Sequence, residues 1–218
     1  MHRRARSEEA KQQRTEDLLT AARKLAVDLG GVRHVTLQAV TETAGLHPSA
    51  VRRYFASREE LFLELAERGW EEWRDLVTAR LAGRKGLPPG DVAEALSSTI
   101  VTLPLFCDLL THVVLSLEGD VSVDRARQYK ARSFTAYDVI VAALVQAGTL
   151  STAQVHDLIA ALLGTTSYFW QLSHPTATLA ELYRQEPQWG HSALDFEPRL
   201  TRLLRATAEG LSGPGRRR

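Results

Sequence analysis

The sequence predicts an all-α protein in two parts, an N-terminal three-helix domain containing a helix-turn-helix, joined to a larger helical domain. Three observations carry this expectation. Apolar residues recur at helical spacing across residues 14–211, and no stretch alternates with the two-residue period of a strand. Residues 36–55 (TLQAVTETAGLHPSAVRRYF) read as two short helices meeting at Gly45. Breakers crowd residues 83–90 (GRKGLPPG) and mark a boundary. The expected parts are the DNA-binding domain at 1–56, a connecting helix at 57–84, the body at 85–212 and a disordered tail at 213–218.

The totals suit such a protein. With 218 residues, 44% of them hydrophobic and 24% charged, the chain can bury a substantial core. Its net charge is only +1, but the charge is uneven. Up to Arg53, ten Lys and Arg face six Asp and Glu, which makes that end about +4. A basic end on a mildly acidic remainder fits a protein that touches nucleic acid with one region only. Cys107 is the sole cysteine, so no internal disulfide can form and a reducing compartment is expected. The basic start has no apolar run behind it, as a signal peptide would, and the expected location is the cytoplasm. Residues 100–117 are apolar but broken by Pro104, Asp108 and His112, which suggests a buried helix pair rather than a membrane span.

In chain order, residues before Lys11 read as disordered, with Arg3, Arg4 and Arg6 free to reach phosphates or simply solvated. A first helix over 14–29 carries Leu18, Ala22, Leu25, Ala26 and Leu29, and Gly30 and Gly31 stop it. Thr36 is a good N-cap for the second helix, whose Leu37, Val40 and Thr41 share a face. Gly45 supplies the left-handed turn, and Leu46 and Val51 can pack back while Arg52, Arg53 and Tyr54 have no evident place in a core. Ser57 with Glu60 three residues on reads as a capping box opening a helix to about Leu81, with Leu61, Leu65, Trp70, Trp73 and Leu76.

Beyond the boundary, helices are expected over 91–103, over 104–117 with Pro104 in the first turn, over 122–147, and from the Ser151 cap to Ser173. A short helix over 179–184, a loop through Trp189 and Gly190, and a last helix after Glu197 complete the body. No catalytic arrangement is legible, and no cofactor is expected. Asp108 and His112 share a face four residues apart. Two such groups make a poor zinc site and read rather as a hydrogen-bonded pair at a pocket edge or a solvated pair. Cys107, in an apolar setting, reads as an inert core thiol.

Taken together, the first helix with its Gly30-Gly31 stop, the Thr36 cap, the Ala44-Gly45 turn, Tyr54-Phe55 and Ser57-Arg58-Glu59-Glu60-Leu61 resemble the TetR family of transcriptional regulators. The resemblance covers residues 14–65, about a quarter of the chain. Three departures bear on which operator is read. Arg52 stands where the family usually has a DNA-touching tyrosine, Thr41 where alanine is usual, and His47 where serine or threonine is common.

The resemblance implies that Thr36, Tyr54 and Arg58 hold phosphates, with His47, Ser49, Arg52 and Arg53 the candidates for base edges. One arginine of the Arg52–Arg53 pair is expected on the O6 and N7 of guanine and the other on phosphate, against the alternative that both merely hold the backbone. The resemblance also implies an N-terminal three-helix helix-turn-helix DNA-binding domain joined to a helical ligand-binding and dimerisation domain at 85–212, whose family counterpart binds a small molecule and pairs with a second subunit. Pocket candidates are Phe106, Leu110, Tyr129, Phe134, Tyr137 and Trp170, each open to the competing reading of plain core packing. Pairing candidates are Ala160, Leu163, Gly164, Ser167 and Leu203. The implied function is a homodimeric repressor that binds a palindromic operator in double-stranded DNA and is released by a small-molecule effector. The rival is a helical small-molecule-binding protein or enzyme whose N-terminal hairpin is only structural.

Overall fold

The computed structural model describes residues 2–192 and 195–213, excluding the side chains of 2–7, 48, 49, 191 and 192. The side chains of Arg3, Arg4, Arg6 and Ser49, and the tail from 214 onward, therefore lie outside the described residues.

Among the described residues there are nine α-helices and no strand. They are α1 (His2–Asp28), α2 (Leu37–Thr43), α3 (Arg58–Leu81), α4 (Pro89–Ile100), α5 (Pro104–His112), α6 (Val123–Ala147), α7 (Thr152–Ser173), α8 (Ala177–Gln185) and α9 (Phe196–Ser212). Tight 3-10 turns occupy Val32–His34, Pro48–Arg53 and Pro187–Ser192, and α5 runs on into a wider π-type turn at Val113–Leu117.

The N-terminal head is built from α1, α2 and the Pro48–Arg53 turn. Leu18, Leu19, Ala22 and Ala26 of α1 are buried against Val40 and Thr41 of α2, Val51 and Phe55. Leu29 falls just past the end of α1 and is exposed, so it does not extend the buried stripe. Two expectations are corrected here. The first helix begins at His2 rather than at Arg14, so the stretch before Lys11 expected to be disordered is helical; it holds good helix formers and no Gly or Pro to stop it. The recognition segment forms a 3-10 turn rather than an α-helix. Only nine residues lie between Gly45 and the buried Phe55, and tight bonds such as Ala50 N–H to the His47 carbonyl at 2.8 Å cover that distance economically.

The caps sit close to where the sequence places them. The Thr36 hydroxyl accepts Ala39 N–H at 3.1 Å, and Gly45 turns the chain at φ +66°. Ser57 accepts Glu60 N–H at 3.2 Å, but the Glu60 carboxylate reaches one residue further than a capping box requires and accepts Ala56 N–H at 2.8 Å. A complete capping box opens α7 instead, from Ser151 and Gln154.

α3 runs from the head into the body and is fastened at both ends. The Arg68 guanidinium grips the Glu16 carboxylate of α1 with two bonds of 2.6 Å, and Arg23 reaches Glu72 at 2.8 Å. Towards the body, the buried Glu67 accepts from Arg125 at 2.5 Å and Arg132 at 2.9 Å, both on α6. Burial pushes the Glu67 carboxyl above its usual range, against the pull of Arg125. Trp73 is fully buried and its indole N–H donates to Thr99 of α4 at 3.1 Å. Leu76 turns out to be exposed, while Val77 takes the buried position beside it.

In the body, α4 packs on α9, α6 on α3, and α7 on both α5 and α9. The segment leading into α4 is tied to the end of α6, with Leu87 N–H donating to the Ala147 carbonyl at 2.9 Å. No single helix among the described residues is long and apolar enough to cross a membrane. The α4–α5 pair has the apolar length but bends by 93°, and both helices are largely buried.

Candidate nucleic-acid interface and ligand cavity

The head presents its candidate DNA contacts in two different ways. Thr36, His47, Arg52 and Arg53 are exposed, while Tyr54 is half-buried against the core. Arg52 and Arg53 sit between Val51 and Phe55, which are buried, so the backbone at this point is anchored on both sides. Thr41 is buried and returns its hydroxyl to the Leu37 carbonyl at 2.7 Å, so a polar residue is accommodated where α2 meets the core.

Arg58 is placed differently from a phosphate ligand. Its Nε donates to the Val35 carbonyl at 2.6 Å and Nη2 to the Val32 carbonyl, and the guanidinium carbon lies 4.7 Å from the centre of the Phe62 ring. Both donations point inward and clamp the 32–35 turn of the head onto the start of α3. A charged donor on carbonyls at a partly buried site is a strong hydrogen bond, and it leaves fewer N–H groups for an external anion.

The body contains a cavity of about 380 Å³. Of the residues named from the sequence as pocket candidates, Leu110, Tyr129, Phe134 and Tyr137 line it. Trp70 of α3, Val113 and Val114 of the π-type turn, Glu118, Lys130 and Ser133 also line it, and none of these was singled out for it. The remaining wall comes from α7 through Ala160, Leu163, Gly164 and Ser167. These four were pairing candidates. Ala160 and Gly164 are exposed as well as cavity-lining, while Leu163 and Ser167 are half-buried.

Two pocket candidates lie elsewhere. Phe106 is buried in an aromatic cluster, 5.4 Å from Trp70 and 6.3 Å from Trp73 between ring centres, and borders a separate space of about 240 Å³. Trp170 stacks on His174 at 3.8 Å and borders a smaller space of about 220 Å³ between α1, α5 and α7. Their helical spacing resembles that of the true lining residues, since periodicity cannot separate a wall facing a void from one facing a neighbour.

The cavity is apolar with a polar region. Trp70 donates its indole N–H to the Tyr129 phenol at 3.1 Å, and Lys130 pairs with Glu118 at 2.7 Å. Burial pushes the Tyr129 phenol up to about 12, so it stays protonated at neutral pH. Asp108 and His112 lie outside this cavity. The nearest approach of His112 Nε2 to the Asp108 carboxylate is 3.7 Å, too long for a hydrogen bond, and Asp108 spends its oxygens on other partners.

An exposed arginine pair on a small helical head, braced against a body with a cavity, matches known proteins in both of its parts. A family model described as "Bacterial regulatory proteins, tetR family" matches residues 18–65, and one described as "Tetracyclin repressor-like, C-terminal domain" matches residues 67–215. The chain belongs to the TetR family. It is a DNA-binding transcriptional regulator with a helix-turn-helix head. A solved structure described as a TetR-family transcriptional regulator from Mesorhizobium loti MAFF303099 has the same fold. It aligns with a TM-score of 0.50 at 14% identity, covering 92% of this chain and 96% of that one. No curated protein matches the chain. In this TetR-family chain Arg52 and Arg53 lie side by side and exposed in the segment expected to meet DNA.

Proposed function

We propose that this regulator is a homodimeric repressor that reads a palindromic operator and leaves it when a small molecule fills the cavity of the body. The observation that carries the reading is Trp70. It lies on α3, the helix that Arg58, Arg23 and Arg68 fasten to the head, and it also forms part of the cavity wall. A molecule in the cavity therefore touches the connecting helix directly. A ligand that fits the cavity better at one head angle than at another shifts the population between angles, and with it the spacing of two recognition segments.

Apolar walls dominate the cavity, and its polar groups are mostly engaged with one another, which suits a neutral, largely apolar effector with one polar end. Because side chains leave the space open, an effector fits the structure better than control by a protein partner alone. Pairing is assigned to the exposed faces of α7 and α9, through Ala160, Gly164 and Leu203. Base reading is assigned to Arg52 and Arg53, with Thr36, His47, Ser49 and Tyr54 supporting.

The test is footprinting on a duplex selected by the protein from random sequence. Arg52→Ala with Arg53→Ala should remove the footprint while the protein stays folded and dimeric. A normal palindromic footprint from the double variant would show that these arginines do not read the operator.

A further inference from the structure

A buried carboxylate sits in the seam between head and body. Asp108, on α5, is only 6% exposed. Its Oδ2 accepts the backbone N–H of Val32 at 2.7 Å, and its Oδ1 accepts Nε2 of Gln171 on α7 at 2.9 Å. Val32 is itself fully buried, so its N–H depends on this carboxylate from 76 residues away. The fit is close. A Cβ on Gly31 would lie 3.3 Å from Asp108 Oδ2. From the other side, the carbonyls of Val32 and Val35 hold the Arg58 guanidinium. The 32–35 turn is thus held by the body through Asp108 and by the connecting helix through Arg58.

The same stretch of α5 also meets the cavity. Leu110, two residues beyond Asp108, lines it, and so do Val113 and Val114 where the helix widens into its π-type turn. Such a turn is a place where a helix can change register locally, and these turns are frequent at functional sites.

We propose that Asp108 is the positioning residue through which occupancy of the cavity reaches the DNA-binding head. An occupant pressing on Leu110 and Val113 displaces α5, and the Asp108–Val32 hydrogen bond passes that displacement to the 32–35 turn. The proposal rests on the reading of the cavity as an effector site. A carboxylate that merely satisfies a buried N–H would stabilise the seam without linking it to the cavity, because linkage requires that both sites bias one element.

Occupancy can be imposed by a side chain. Ser133→Leu adds bulk to the cavity wall, with Leu163→Phe as an independent second filler. The binding of a duplex selected by the wild-type protein is measured for wild type, Ser133→Leu, Asp108→Leu and the double variant. Leucine offers the Val32 N–H no acceptor, whereas asparagine would keep one. With coupling of ordinary strength, the filler alone should weaken binding by about 10-fold, and by less than about 2-fold in the Asp108→Leu background. An equal loss in both backgrounds overturns the proposal. Should Asp108→Leu fail to fold, Asp108→Ala, which also removes the acceptor, takes its place.

Amide hydrogen exchange of the full chain gives a readout that needs no DNA. The Val32 amide should exchange several-fold faster in either filler, while the amide of Leu65 in α3 keeps its protection. Unchanged Val32 exchange in both fillers also overturns the proposal. A wild-type protein that selects no duplex would sink the DNA-reading assignment, and the exchange measurement would still decide on Asp108.

Discussion

The Trp70 indole N–H and the Tyr129 phenol oxygen meet at 3.1 Å, joining the connecting helix to α6 at the wall of the cavity. Both side chains are buried, so the bond is sheltered from competing water. Trp70→Phe removes the N–H and part of the ring. A double-mutant cycle with Tyr129→Phe isolates the bond from the lost packing. The coupling should be about 1 kcal/mol, measured by guanidinium unfolding at neutral pH. Additive losses would show that the two groups do not support one another.

Gly69 of α3 packs directly against Phe106 of α5. A Cβ there would lie 2.7 Å from Cγ of the Phe106 ring, which is already boxed in by Trp70 and Trp73. Glycine to alanine inside a helix normally stabilises by up to about 1 kcal/mol. Here the overlap wins, and Gly69→Ala should destabilise by about 1–3 kcal/mol in thermal or denaturant melts.

His112 gives the stability a pH dependence of known sign. Burial pushes its imidazole below the usual value, Asp108 pulls it up, and Arg58 and Arg33 push it down further. The folded protein therefore binds fewer protons at this site than the unfolded chain. Stability from this residue is complete above the unfolded value of 6.5 and is lost as pH falls from there towards the lower folded value. In urea melts between about pH 7.5 and about pH 5.5, His112→Gln should fall less steeply than wild type. Parallel curves would mean that His112 titrates as it does in the unfolded chain.

Cys107 should be chemically silent. It is fully buried, its Sγ donates to the Ile100 carbonyl at 3.2 Å, and burial pushes the thiol up to about 12. The thiolate is the reactive form, so a disulfide reagent at mild alkaline pH should label the native protein only as fast as it opens. Rapid stoichiometric labelling without unfolding would contradict the buried setting.

The parts of this molecule that were legible in the sequence are those decided over a few residues of chain. The Thr36 cap, the Gly45 turn, the Ser57 cap and the Gly148 stop each depend on groups within about one helical turn. The helical period of Leu18, Ala22, Val155, Leu158 and Leu162 likewise marks faces that are buried. Together these determined an all-α chain with a basic helix-turn-helix at its front.

What each face packs against was decided only by the tertiary structure. Phe106 and Tyr129 carry the same kind of signal, yet one is packed within the aromatic cluster and the other walls the cavity. A void forms where side chains from α3, α5, α6 and α7 fail to meet, which no single helix records. Charge partners show the same limit. Arg58 looked free for phosphate because its acceptors, the carbonyls of Val32 and Val35, lie 26 and 23 residues away. Asp108 looked like half of a pair with His112, and its bonds go instead to Val32 and Gln171. Local hydrogen bonding and periodicity made the helices, while long-range packing chose the partners of the polar groups that remained.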